Sequence, residues 1–467
     1  MKKKNHWTNN LKVMESNMKP YLIVFAIFFI NLCIKAQDQR KISGRVQNQH
    51  ESVALEFAHI YIKNGFIGTY TNAEGKFTLN YPDSLAQDTL VVSRIGYSIY
   101  MLPLPAEDTS TSLHIYIKES KNYLDEVVIT THKDTVSAIV KKVLKKFRKN
   151  YPTKLHYLEG FYRELSTKGD RYTRLIEASV GITENSYRKN QTNSKIKVKQ
   201  VRKSEDYREY NLNSRLYVNA FKKATELAWG KTYINYNNIT RLLKLNFPRS
   251  NQMINFEKDK RAGFFKSHEF EITKIIKDQE ALYYHISYYL SPETSGPFMY
   301  QGGSMVINMD DFAIIEWTWA IIPHPYKRSH GKDPQSDSFF YRGKYHRKNH
   351  VLYSKIDNKY YPTYLELHEP ILGTEKHTFE ESGKEEFQYK KMTLMVNQVV
   401  TRKKDFDRIK KRDALEEEKD LYGTNHQYDS DFWTNYNILL LDPLLKPAIE
   451  DLEKEKSLNE QFENNGE

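Results

Sequence analysis

The sequence predicts a mainly β protein of two units, a small N-terminal sandwich and a larger antiparallel β domain with a few helices. Three observations carry this reading. From Lys41 to Ile117, and again from Leu155 to about Gln398, apolar residues recur at alternate positions in short runs bounded by turn pairs. Strand-sized runs do not alternate with helix-sized ones, as a parallel α/β enzyme would require. The 467 residues include 34 Tyr and 23 Phe but only 19 Gly and 15 Pro, which excludes disordered, collagen-like and low-complexity classes.

Residues 1–36 carry six Lys and one Glu around the apolar run Tyr21–Ile34, which is followed by Ala36. A basic stretch, a short apolar core and a small residue at a cleavage point read as a secretory signal peptide; 14 residues fall short of a membrane span. Cys33, the single cysteine, lies inside this segment, and Leu32 before it does not suit lipid attachment. Cleavage after Ala36 would leave no disulfide and no Cys-ligated metal, which suits a bacterial periplasm or the periplasmic side of an outer membrane.

Residues 37–120 are read as the sandwich. Its strands are expected at Lys41–Gln47, Ala54–Lys63, Lys76–Tyr81, Asp88–Ser93 and Ser112–Lys118, with Ala58, Ile60 and Ile62 on one face. Asn72-Ala73-Glu74-Gly75 is a hairpin turn, in which Asn caps its own backbone and Gly supplies a positive φ.

Residues 121–150 form a linker. Leu124, Asp125, Glu126, Val127, Val128, Ile129 and Thr130 read either as a partner-binding strand that adds to a sheet edge or as a last strand of the sandwich. The spacing of Val136, Ile139, Val140, Val143, Leu144 and Phe147 then predicts an amphipathic helix over Asp134–Lys149, capped by Asp134 and ended at Tyr151-Pro152. From Lys133 to Lys149 it carries +6 of the chain's net +12, and residues 1–36 carry +5. The remaining body is nearly neutral, so the basic total does not point to nucleic acid. Packing of the apolar face on a sheet competes with peripheral contact on an anionic membrane.

Residues 151–400 read as long hairpins: His156–Leu165, Tyr172–Gly181, Ser267–Ile276, Ala281–Leu290, Gly302–Met309, Phe312–Ile321, Phe339–His346, His350–Ile356 and Tyr360–His368. Turns are expected at Lys277-Asp278, Asp310-Asp311, Lys348-Asn349 and Asp357-Asn358. Residues 190–260 are a polar, partly helical insertion, and residues 401–467 a charged helical segment.

The motifs Lys41–Val46, Phe57–Ile62, Gly68–Phe77, Asp88-Thr89-Leu90 and Ile95-Gly96-Tyr97 resemble, in order, those of the carboxypeptidase-like regulatory domain of Gram-negative envelope proteins. The resemblance implies a transthyretin- or immunoglobulin-like sandwich that acts as a scaffold without catalytic residues. The family's usual Pro before the strand at Leu55-Glu56-Phe57 is missing here. Leu124–Thr130 looks like the segment joining this domain to the plug of TonB-dependent transporters, but too little chain remains for a plug and a barrel of about 22 strands. The second unit, marked by Asn150-Tyr151-Pro152, Glu159–Glu164 and Phe432–Asn437, resembles an uncharacterised region that often follows such domains. Its hairpins beside helices are compatible with a half-barrel like that of lipoprotein-sorting proteins.

Chemistry is sparse in the sequence. His268 and Glu271 have an H-x-x-E spacing, yet strand alternation sends them to opposite faces. His346 and His350 flank the expected Lys348-Asn349 turn, Glu159 with Glu164 is a candidate carboxylate pair, and Glu316 stands beside Trp317 and Trp319. No nucleophile elbow, P-loop or dinucleotide fingerprint occurs in a supporting context. The expectation is therefore a non-enzymatic exported envelope protein without cofactor or metal, binding an envelope protein, lipid or glycan. The alternatives are a periplasmic hydrolase of peptide or glycan and an accessory of TonB-linked uptake.

Overall fold

The structure, a computed structural model, describes residues 39–104, 112–120, 133–185, 194–210, scattered helical positions between 216 and 227, and residues 236–245, 268–278, 281–291, 299–323, 347–371, 388–441 and 446–464. The expected signal segment with Cys33, the Leu124–Thr130 strand, and Phe339–His346 lie outside the described residues. Among the described residues no helix is long and apolar enough to cross a membrane.

The first unit consists of β1 (Gln39–Asn48), β2 (His59–Ile62), β3 (Gly68–Tyr70), β4 (Lys76–Pro82), β5 (Thr89–Ser93), β6 (Tyr100–Pro103) and β7 (Leu113–Ile117). They form two sheets, β4-β1-β7 and β3-β2-β5-β6, with β1 antiparallel to β4 and parallel to β7. Alternate residues meet between the sheets: Ile42 and Val46 from β1, Ile60 and Ile62 from β2, and Phe77 and Leu79 from β4, with Ala58 beside them. The predicted turn is present. The Asn72 Oδ1 accepts from the backbone N–H of Glu74 and Lys76, at 3.1 and 2.9 Å, and Gly75 has φ +73°.

The strand expected over Ala54–Lys63 is regular only from His59. Phe57 breaks it with φ +59°, a conformation that a bulky residue adopts only under tertiary constraint. That constraint is the second unit, where the Phe57 ring sits edge-on to His350 and Tyr364 at 5.1 and 5.2 Å.

Helix α1 (Lys133–Asn150) leads into the second unit, built from β8 (His156–Lys168), β9 (Arg171–Glu184), β10 (Lys195–Lys203), α2 (Asn238–Leu245), β11 (His268–Lys277), β12 (Leu282–Leu290), β13 (Met299–Asn308), β14 (Ile314–Pro323), β15 (Arg347–Ile356), β16 (Lys359–Pro370) and β17 (Gln388–Val400). The ten strands form one antiparallel sheet in the order β10-β9-β8-β17-β16-β15-β14-β13-β12-β11. The expected Asp357-Asn358 turn joins β15 to β16, and both residues have positive φ, +47° and +61°, as a tight hairpin of the mirror-image type requires.

A sheet of ten strands twists and curls, which gives it a concave and a convex face. Helix α1 lies on the concave face and contacts both β11 and β16. Val136, Ile139, Val140 and Val143 of α1 are buried in the concave face, together with Ile239, Leu242 and Leu243 of α2. The packing expected for the basic helix is thus found, and its Lys141, Lys142, Lys145 and Lys149 face outward.

The convex face is covered as well. Residues beyond β17 run back across it through α3 (Ser430–Asn435), α4 (Lys446–Leu452) and α5 (Leu458–Asn464). Burial on both faces explains the nearly unbroken burial of β9, whose Ile176 and Ala178 join the concave core while Leu175 joins Leu452 and Phe462 on the other side.

Three expectations need correction. Lys348-Asn349 is not a turn: both lie within β15, paired with His368 and Leu367, and Asn349 is buried. The polar pair suggested a turn because the concave face is polar at that end. The insertion at 190–260 contains β10, an edge strand of the main sheet. Glu159 and Glu164, five residues apart, point to opposite faces: Glu159 accepts from the Tyr157 hydroxyl at 2.7 Å, and Glu164 pairs with buried Arg174.

Candidate functional site

The sandwich rests its β2-β3-β5 sheet against the convex face of β14, β15 and β16, and polar groups from both sides meet there. The Tyr70 hydroxyl is 2.6 Å from Thr363 Oγ1, and Ser354 Oγ is 3.1 Å from His59 Nδ1. The His59 ring is stacked between Tyr61 and Tyr70, each at 4.7 Å. A segment around α3 fastens the two units: the Asn437 side chain accepts from Asn80 N at 2.6 Å and donates to Asn80 O at 2.9 Å. Asn72 Nδ2 donates to Leu441 O at 3.1 Å, and Arg163 Nη2 to Leu439 O at 2.8 Å.

The contact leaves space. Two adjoining cavities of about 540 and 310 Å³ share His59, Ser93, Arg94, Ile95, Ile315, Tyr353 and Ser354 as walls. The larger is lined by Tyr61, Tyr283 and Tyr360, and the smaller by His285, Glu316 and His350. These sizes are typical of small-molecule sites.

The electrostatics follow from burial. His59 is pushed down to about 3 by loss of water, so it is neutral at physiological pH. Burial alone would raise the Glu316 carboxyl, but His350, bonded to it at 2.8 Å, together with His285 and Arg94, holds it below its ordinary value. Burial also lowers the His285 imidazole and the Arg94 guanidinium.

Ser354 and His59 stand at a nucleophile-to-base distance, but the chemistry does not follow. A base must hold the proton it takes, and burial makes protonated His59 unfavourable. Its other nitrogen faces β3 at Gly68, where an added Cβ would lie 2.9 Å from it, so no carboxylate orients the ring as a triad would need. The set can donate, accept and stack around a ligand.

A second polar cluster lies on the concave face beneath α2. Glu164 pairs with Arg174 and accepts from Tyr162 and Asn238, at 2.8 and 2.7 Å; Glu369 pairs with Arg241, and Lys390 donates to Asn238 at 2.9 Å. Burial would raise Glu164, but the Arg174 and Lys390 charges pull it down to about 2. Burial and the Arg241 charge press Lys390 down to about 8. These bonds tie α2 to the sheet.

His268 and Phe270 face the concave core, while Glu269 accepts from the Tyr289 hydroxyl at 2.6 Å, so the H-x-x-E spacing does not converge. Among the described residues no group of three metal-ligating side chains occurs. The cleft itself was not foreseen. Arg94 follows the expected strand Asp88–Ser93, Glu316 stands beside its tryptophans and His59 lies within the Phe57–Ile62 motif, while His285 and Ser354 carry no local motif.

Residues 42–129 match the family described as the CarboxypepD_reg-like domain, a stretch that includes Leu124–Ile129. The chain carries this domain, as its motifs implied. Over 150 residues it is 25% identical to TonB-dependent receptor P3 of Formosa agariphila, a match that covers 31% of this chain and 14% of the receptor. Similar solved structures include a putative outer membrane lipoprotein-sorting protein domain from Vibrio parahaemolyticus, 7% identical over 59% of this chain and 97% of that one, with a TM-score of 0.23. A LolA superfamily protein from Nitrosomonas europaea is 11% identical over 57% and 97%, with a TM-score of 0.21.

Proposed function

We propose that the chain is an exported, non-enzymatic protein of the cell envelope that binds a polar ligand, a glycan, in the cleft between its two units. The observation that carries this reading is the cleft: walls from both units and a polar and aromatic lining. Lipid is the less favoured ligand, because α1 and α2 occupy the concave face where acyl chains would need room. The basic run and apolar core of residues 1–36 support export.

Ser93 lines both cavities, so Ser93→Trp would fill them. In a thermal-shift screen of envelope saccharides against the full chain, the wild type is expected to rise in melting temperature with at least one saccharide, and Ser93→Trp with none. An equal rise in both proteins would remove the cleft from the function.

A second reading rests on the Leu124–Thr130 segment, which the family match and the receptor likeness bring forward. There the segment adds as a strand to a TonB-dependent receptor. Deleting residues 124–130 is then expected to abolish co-purification with such a receptor after cross-linking, and retention would sink this reading.

A further inference from the structure

Arg94, just beyond β5, is a cation that both cavities share. Its Nη1 is buried without a hydrogen-bond partner, and its guanidinium lies 5.8 Å from the centre of the Tyr97 ring. Several other charges around the cavities are already engaged. Glu316 is bonded to His350, Lys355 pairs with Asp311, and Asp278 accepts from Ala281 N and the Tyr283 hydroxyl. Glu316 acts on the Arg94 guanidinium through space but is bonded to His350, so the guanidinium, partly withdrawn from water, keeps a buried N–H that a ligand carboxylate oriented for its planar fork would satisfy.

The rings around it suggest what carries that carboxylate. Tyr283 and Tyr360 have their hydroxyls tied to Asp278 and Asp311, at 2.6 and 2.9 Å, which holds both rings in the wall of the larger cavity. Tyr61 adds another, and His59 and Ser354 supply polar atoms beside them. Aromatic side chains with polar groups between them suit a sugar ring, whose faces are apolar and whose edge carries hydroxyls.

We infer that the cleft recognises an acidic saccharide, with Arg94 as the residue that meets the sugar carboxylate. The inference rests on the cleft being the binding site and goes beyond it by naming the ligand class and the anchoring residue.

The test is titration calorimetry of the full chain at low salt with digalacturonate, its neutral counterpart digalactose, and a short peptide with a free C-terminal carboxylate. The wild type is expected to bind digalacturonate more tightly than digalactose. Arg94→Gln should weaken digalacturonate about 30-fold, the scale of a hydrogen bond to a charged group, and leave digalactose unchanged. Arg94→Lys, which keeps the charge and loses the fork, should recover part of the affinity, and both variants should melt like the wild type. Equal binding of the two saccharides, unaffected by Arg94→Gln but lost in Ser93→Trp, would overturn the role of Arg94 and leave the cleft as the site. Binding of the peptide in place of the saccharide would overturn the ligand class. If no probe binds, in a protein whose melting temperature no saccharide raises, the cleft reading and this inference fall together.

Discussion

Glu164→Leu is expected to lower the unfolding free energy by about 3–5 kcal/mol, because it leaves Arg174 as an uncompensated charge in the core. Both side chains are 1% exposed. Asp206 and Asp420, at 3.5 and 3.8 Å from Arg174, are partly in water and offset little of the loss. Removing both partners should be milder, so Glu164→Leu with Arg174→Met should recover most of the stability. Urea unfolding of the three proteins decides it, and a loss below about 1 kcal/mol in the single variant would show that the pair is not isolated from solvent.

The same carboxyl shapes the acid limb of stability. Its folded value, about 2, lies below its ordinary 4.5. The unfolded state therefore binds more protons in that window, and Glu164's contribution, complete above 4.5, is lost as pH falls towards 2. In Glu164→Leu the slope of stability against pH should flatten between these values.

Trp433→Ala is expected to cost about 3–5 kcal/mol, the usual penalty for emptying a buried aromatic site. Trp433 is 4% exposed, edge-on to Phe161 at 6.5 Å and to Tyr436 at 6.0 Å, with the Arg202 guanidinium 4.4 Å above its ring. It anchors α3, and Asn437 and Leu441 just beyond α3 hold the sandwich at Asn80 and Asn72. Calorimetry should then show the sandwich melting apart from the ten-stranded sheet. A single transition with little loss would mean that the cleft walls hold the units together without this segment.

Much of the fold was legible because its signals are local. Alternation along β8, β9 and β14, the Asn72–Gly75 turn, the Asp357-Asn358 hairpin and the apolar stripe of α1 each depend on residues a few positions apart. The curl of the sheet around α1 depends on strands far apart in sequence, and no periodicity encodes it. The cleft was hidden for the same reason. His59 and Arg94 come from the sandwich, whereas His285, Glu316, His350 and Ser354 come from three strands of the sheet, 295 positions separating His59 from Ser354. Asn349 was misread because a polar residue buried beside charged neighbours looks, in sequence, like a turn. Phe432–Asn437 was visible as a motif, but its task of joining two units was not.

That joining segment also orders events in time. Asn80 and Asn437 stand 357 positions apart, so the sandwich is fixed by a segment made much later. Until residues near 437 emerge, the sandwich and the sheet are held by contacts such as those of β2 and β3, with Phe161 lacking the cover of Trp433. A chain that stops before this segment would carry an apolar surface open to chaperones and proteases, and the cleft closes only once the segment is in place.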